Sequence, residues 1–134
     1  MILTSAEQRR LRGLTALLLV LVAGVHFQQY VQFMSQVPTV GVLFLLNAAG
    51  GAGLAVAVLS ADPRVRTLAT VGALGLSAGS LVSIVIALQS SFFGYAEPTL
   101  RFPIVLAIVV EVILLGAGAV LLSRSRSPVA GAGQ

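Results

Sequence analysis

Cysteine is absent from this 134-residue chain, and so is lysine. The first absence excludes disulfides, thiolate nucleophiles, thiolate metal sites and thiol redox chemistry. The second leaves all eight basic residues as arginine, which reads as the codon bias of a GC-rich bacterial genome. Charge of either sign is scarce: 9% of the residues are charged, where a soluble domain carries about 25%. None occurs from Gly13 to Ala61 or from Thr67 to Ala96, so water is not the main solvent and no soluble catalytic domain fits in what remains. There is one histidine, His26, which excludes bis-histidine haem within one chain and makes haem an unfavoured cofactor. Also missing are a phosphate-cradling glycine loop followed by lysine, an HExxH metal pair and a basic aromatic surface for nucleic acid. Hydrolytic and metalloenzyme chemistry is therefore not expected and no catalytic or metal residues are assigned, so a non-catalytic role is favoured while the question of enzyme activity stays open.

What is present is apolar: 57% of residues are hydrophobic and the mean hydropathy is +1.03. Four segments stand out, about Gly13 to Phe33, Val40 to Leu59, Thr67 to Gln89 and Pro103 to Leu122. At 1.5 Å per residue each is long enough for about 30 Å of hydrocarbon. Turn signals separate them, "SQVPT" after the first, "SADPR" after the second and "GYAEPTLRFP" before the fourth. The expected fold is an all-α integral membrane protein, a four-transmembrane-helix antiparallel bundle over residues 13–122. A cytoplasmic segment, 1–12, precedes it, and a disordered cytoplasmic tail, 123–134, follows. The first span has a basic start and small residues at Val22 to Gly24, as a secretory signal does, but its apolar run continues past them.

Arginine sets the orientation. Arg9, Arg10 and Arg12 precede the first span, Arg64 and Arg66 lie between the second and third, and Arg124 and Arg126 follow the fourth. The positive-inside rule then places both termini in the cytoplasm of a bacterial inner membrane. Arg101 alone lies outside, in a loop with Phe92, Phe93, Tyr95 and Phe102 that reads as an interfacial aromatic belt. The pI near 11.2 thus reflects topology, and nucleic acid is not an expected partner. Gln29, Phe33, Pro38 and Thr39 recur sixty residues later as Gln89, Phe93, Pro98 and Thr99. This spacing fits two tandem helical hairpins, and it fits chance in a low-complexity alphabet equally well.

Between membrane helices, close approach at small residues drives packing. Gly75, Gly79 and Ser83, spaced by four, give the third span one such ridge, and Gly53 with Ala49 gives the second another. Polar residues gather towards the outer ends. On a helical wheel Gln28, Gln29, Gln32, Ser35 and Gln36 form one stripe with His26 beside it. His26 and Asn47 lie about 10 Å below the outer boundary, and Glu111 lies about 12 Å below it. A carboxylate at that depth costs at least about 2.5 to 3.5 kcal/mol, so Glu111 must face the bundle. A contact with His26, completed by Asn47 and Gln29, is expected.

The four-span layout, the chain length and the arginine-led first helix with "LVAGVHF" at Leu21 to Phe27 resemble the small DoxX-like membrane proteins. They also resemble uncharacterised four-helix membrane proteins of actinobacteria. The DoxX-like resemblance implies an association with quinone-linked redox systems. The expected function is an accessory membrane subunit with an outer-leaflet polar pocket for an amphipathic ligand such as a quinone or lipid. Its expected ligand residues are His26, Gln28, Gln29, Tyr30, Asn47, Gln89 and Glu111. The alternatives are a purely structural subunit of a larger complex and a small proton-coupled transporter. Partners are the lipid bilayer and either other membrane subunits or further copies of the chain.

Overall fold

The computed structural model describes residues 3–125, and among these all regular structure is helical. Helix α1 spans Ser5–Gln32, a single 3₁₀ turn covers Met34–Gln36, and α2 spans Val40–Ala57, α3 Pro63–Gln89 and α4 Phe102–Ser125. Each of the four α-helices is long and apolar enough to cross a membrane. Helix ends follow local chemistry more than hydropathy. α1 begins eight residues before its apolar run because Thr4 and Glu7 form a reciprocal capping box. There the Glu7 N–H donates to Thr4 Oγ1 at 3.2 Å and the Thr4 N–H to Glu7 Oε2 at 2.7 Å. α3 begins four residues early because Asp62 accepts from the Arg64 N–H at 2.8 Å and Pro63 occupies the first helical position. α4 continues three residues past Leu122, and the remainder of the tail expected to be disordered lies outside the described residues.

The helices close a ring in which α1 packs on α2 and α4, and α3 packs on α4 and, least closely, on α2. Leu18, Leu19 and Val22 of α1, Ala55 and Val58 of α2, Ala69 and Ala73 of α3, and Val110 and Leu114 of α4 form one aliphatic core. That core fills the half of the bundle nearest Arg12 and Arg66, which lie within electrostatic reach of each other. Small residues such as Ala48, Ala73, Ala107 and Ala117 are buried, while Val56 is 76% exposed and Leu68 71%. A soluble bundle would show the reverse, since contiguous exposed apolar surface is rare on soluble monomers.

Close helix approach occurs at glycines other than those expected. A methyl group on Gly51 would sit 3.2 Å from the Leu19 carbonyl oxygen, one on Gly72 2.8 Å from Leu54, and one on Gly118 2.8 Å from Leu74. These three positions let α1 meet α2, α2 meet α3 and α3 meet α4. Gly53, Gly75 and Gly79 have nothing within 4 Å of such a methyl, so no neighbouring helix of this chain presses against them. Ser83 bonds locally, its hydroxyl donating to the Gly79 carbonyl at 2.8 Å. Spacing by four identified a ridge, but which neighbour faces a ridge depends on the whole ring.

Candidate functional site

At the end of the bundle away from Arg12 and Arg66, α1 turns one polar face inward. Val22, His26 and Gln29 are buried, whereas Gln28, Gln32, Ser35 and Gln36 are exposed and Tyr30 is half-buried. The buried line runs i, i+4, i+7, one side of a helix. The glutamine stripe therefore points away from the interior, and only its edge member, Gln29, turns in beside His26.

His26 is held from three sides. Its Nδ1 lies 2.9 Å from the Val22 carbonyl oxygen, and because a carbonyl only accepts, Nδ1 carries a hydrogen. In the neutral ring Nε2 is then the acceptor, and the Ser80 hydroxyl of α3 lies 3.3 Å from it. The Phe44 ring of α2 packs against the imidazole, with centroids 5.2 Å apart. Glu111 of α4 is fully buried with Oε1 3.9 Å from Nε2, and the Ser80 hydroxyl beside Nε2 is close enough to influence the carboxyl as well. One proton shared by these two groups, on the carboxyl or on the ring, keeps the pair neutral. The approach of His26 to Glu111 expected from their comparable depth is present.

The segment between α3 and α4 covers this layer. Phe92 and Tyr95 exchange backbone hydrogen bonds of 2.7 and 3.0 Å across a tight turn. Its central residues Phe93 and Gly94 have φ of 48° and 80°, the positive values that a type I′ turn requires. The Glu97 N–H then donates to the Ala87 carbonyl at 2.8 Å, tying the segment down on α3. Arg101 donates to both oxygens of Glu97 at 3.1 and 3.0 Å, and to Gln29 Oε1 at 3.2 Å, and lies 4.9 Å above the centre of the Phe33 ring. The Tyr95 hydroxyl donates to Glu97 Oε2 at 2.7 Å.

Burial would raise the Glu97 carboxyl, but the hydrogen bonds from Arg101 and Tyr95 outweigh it and hold the group below its ordinary range. Burial, together with the hydrogen bond to Glu97 and its charge, pushes the Tyr95 phenol up to about 12. Titrated by absorbance at 295 nm, the protein is therefore expected to show a phenol ionising near pH 12 that is missing in Tyr95→Phe. An unchanged curve in that variant would place the late phenol elsewhere.

Beneath this cover is a cavity of about 550 Å³, walled mainly by apolar side chains of all four helices and the covering segment. His26, Gln29, Asn47, Ser80, Ser83, Tyr95, Glu97 and Arg101 supply its polar lining. Gln29 Nε2 and Asn47 Oδ1 are buried without a hydrogen-bond partner.

Of the residues expected at a ligand site, His26, Gln29 and Asn47 line the cavity. Glu111 stands behind His26 and does not line it, and Gln28, Tyr30 and Gln89 are elsewhere. The repeat that pairs Gln29 with Gln89 is not echoed in the site, since Gln89 is exposed. Residues missed from sequence are Ser80 and the Tyr95, Glu97 and Arg101 group. Glu97 and Arg101, four apart in an otherwise uncharged stretch, were the signal available. Phe92, Phe93 and Tyr95, read as an interfacial belt, line the cavity, whereas Phe102 is 77% exposed. Among the described residues no three His, Cys, Asp or Glu side chains come together to hold a metal ion. Gly75 and Gly79 border the cavity where the expected helix contact would have been. No family model matches the chain, and no curated protein and no solved structure shows significant similarity to it.

Proposed function

We propose that the chain is an accessory subunit of a bacterial inner membrane, an antiparallel four-span bundle with cytoplasmic termini. Its outer-leaflet cavity binds an amphipathic ligand such as a quinone or lipid. The cavity carries this reading. Its volume falls in the range of about 300 to 1,000 Å³ usual for small-molecule sites, and it combines apolar walls with few polar groups. Two of those groups, Gln29 Nε2 and Asn47 Oδ1, lack partners within the chain. A buried polar atom without a partner costs about 1 to 3 kcal/mol, and a ligand's polar head would satisfy both. The clustering of Arg12 with Arg66 supports the orientation through the positive-inside rule. The apolar exterior supports lipid, and beyond it other subunits or further copies, as the surroundings. A proton path across the membrane is less well supported, because among the described residues the core around Leu18, Leu19, Val22 and Leu114 buries no ionisable side chain, only the hydroxyls of Thr15, Thr70 and Ser77.

Native mass spectrometry of protein extracted in mild detergent tests the reading. The wild type is expected to retain a bound amphiphile. Asn47→Leu, which removes the spare acceptor, is expected to lower occupancy about tenfold, the equivalent of about 1.4 kcal/mol. A ligand-free wild type that co-purifies with larger subunits would instead make the chain a structural subunit.

A further inference from the structure

We infer that the ligand's head is uncharged, a hydroxyl or carbonyl group, and that its tail leaves the cavity between α2 and α3 along Gly75 and Gly79. The inference rests on the ligand-binding reading and narrows it to one chemical class.

Charge balance is the first ground. Among the described residues lining the cavity only Glu97 and Arg101 are permanently charged, and they form a two-point ion pair with N···O distances of 3.0 and 3.1 Å. Arg101 has five N–H groups. Two go to Glu97 and one to Gln29, while Phe33 packs against the face of the guanidinium. Its charge is therefore spent inside the protein. His26 in the wall and Glu111 behind it add no net positive charge when they share one proton. A phosphate or carboxylate head would lose its hydration without meeting a free cation, and an unpaired buried ion is strongly unfavourable.

Hydrogen-bond capacity is the second ground. Gln29, only 4% exposed, has a donor to spare in Nε2, and Asn47 has an acceptor to spare in Oδ1. A hydroxyl uses one of each, and a carbonyl takes the donor. Beside them the Ser80 hydroxyl and His26 Nε2 form a pair that can give or take one more bond.

The wall supplies the third ground. α2 and α3 are the least closely packed neighbours in the ring. On that side Gly75 and Gly79 border the cavity with no atom within 4 Å of where a side chain would begin. Leu43 and Leu46 of α2 face the same cavity while being 38% and 61% exposed. An apolar slot therefore connects the cavity to the exterior at the level of the bundle, where an acyl or isoprenoid chain can lie.

The test uses the full chain, stripped of bound amphiphile, in dodecylmaltoside. Dioleoylglycerol, decylubiquinone and dioleoylphosphatidylglycerol are offered singly at equal concentration, and occupancy is read by native mass spectrometry. At least one uncharged probe is expected to exceed phosphatidylglycerol about tenfold, and the better of the two separates a lipid from a quinone source. Glu97→Gln, which still accepts from Arg101 but frees its charge, is expected to raise phosphatidylglycerol occupancy several-fold. Gly79→Leu, which fills the slot, is expected to abolish uptake of the favoured probe with helix content unchanged. Equal or stronger wild-type binding of phosphatidylglycerol would overturn the uncharged-head inference while leaving a ligand site standing. No binding of any probe would overturn both. Unaltered uptake by Gly79→Leu would overturn the route.

Discussion

Gly41→Ala is expected to destabilise the protein by about 3 kcal/mol, the upper end of the usual range for overpacking. A methyl group at Gly41 would overlap the Met34 carbonyl oxygen. That oxygen is backbone, and it accepts from the Val37 N–H at 3.0 Å, while the Gly41 N–H donates to the Val37 carbonyl at 2.8 Å. Relief of the clash must therefore disturb the 3₁₀ turn or the first turn of α2 rather than swing a flexible side chain. Met34 and Val40 line the cavity, so occupancy should fall along with stability. Gly53→Ala is the control, because its methyl enters open space within a helix. There the substitution should stabilise by up to about 1 kcal/mol through helix propensity. Unfolding in detergent followed by far-ultraviolet circular dichroism measures both, and a Gly41→Ala protein as stable as the wild type would refute the packing argument.

Arg101→Ala should have the second largest effect, about 2 kcal/mol. It strips Glu97 of two of its three side-chain donors and leaves Gln29 Oε1 without its donor. Truncating one member of a buried hydrogen-bonded charge pair costs about 2 to 5 kcal/mol. The lower figure applies because the Arg101 side chain is 30% exposed and water can replace part of what is lost, although Glu97 is only 6% exposed. Glu97→Gln in the Arg101→Ala background should recover at least half, and simple additivity of the two changes would show that the pair is not coupled.

The pH dependence follows from the carboxyl. Its pKa is lowered on folding, so its contribution is complete above the unfolded value of about 4.3 and is lost as pH falls through the lower folded value. The difference between wild type and Arg101→Ala should be level near neutrality and shrink once pH drops below about 4.

Much of the fold can be read from the order of residues because the terms that decide it are local. Apolar run length, the Thr4 and Glu7 capping box, and Asp62 before Pro63 act over a few neighbours. Four helices follow, with the largest boundary shifts at the starts of α1 and α3, where a cap extends the helix beyond its apolar run. The depth of His26, Asn47 and Glu111 is local too, since rise per residue is constant, and this is why the His26 to Glu111 approach was foreseeable. The direction in which side chains face is a different matter. Gln28 and Gln29 are adjacent in sequence, yet one is exposed and the other buried, because 100° of rotation separates them and only the positions of α3 and α4 say which way is in.

The glycine ridge makes the same point. Spacing by four marks Gly75 and Gly79 as able to take a close neighbour, but Gly51, Gly72 and Gly118 are where the ring brings one helix tightly against the next. The sequence by itself determined an all-helical chain with an apolar exterior, an arginine-rich end and a polar layer at one depth, all consequences of composition and short-range geometry. Tertiary structure alone decided that Arg101 reaches back 72 residues to Gln29 and that Glu97 neutralises it. It alone also left a cavity among the four helices beneath the Tyr95 segment, because such contacts depend on how four helices are placed against one another.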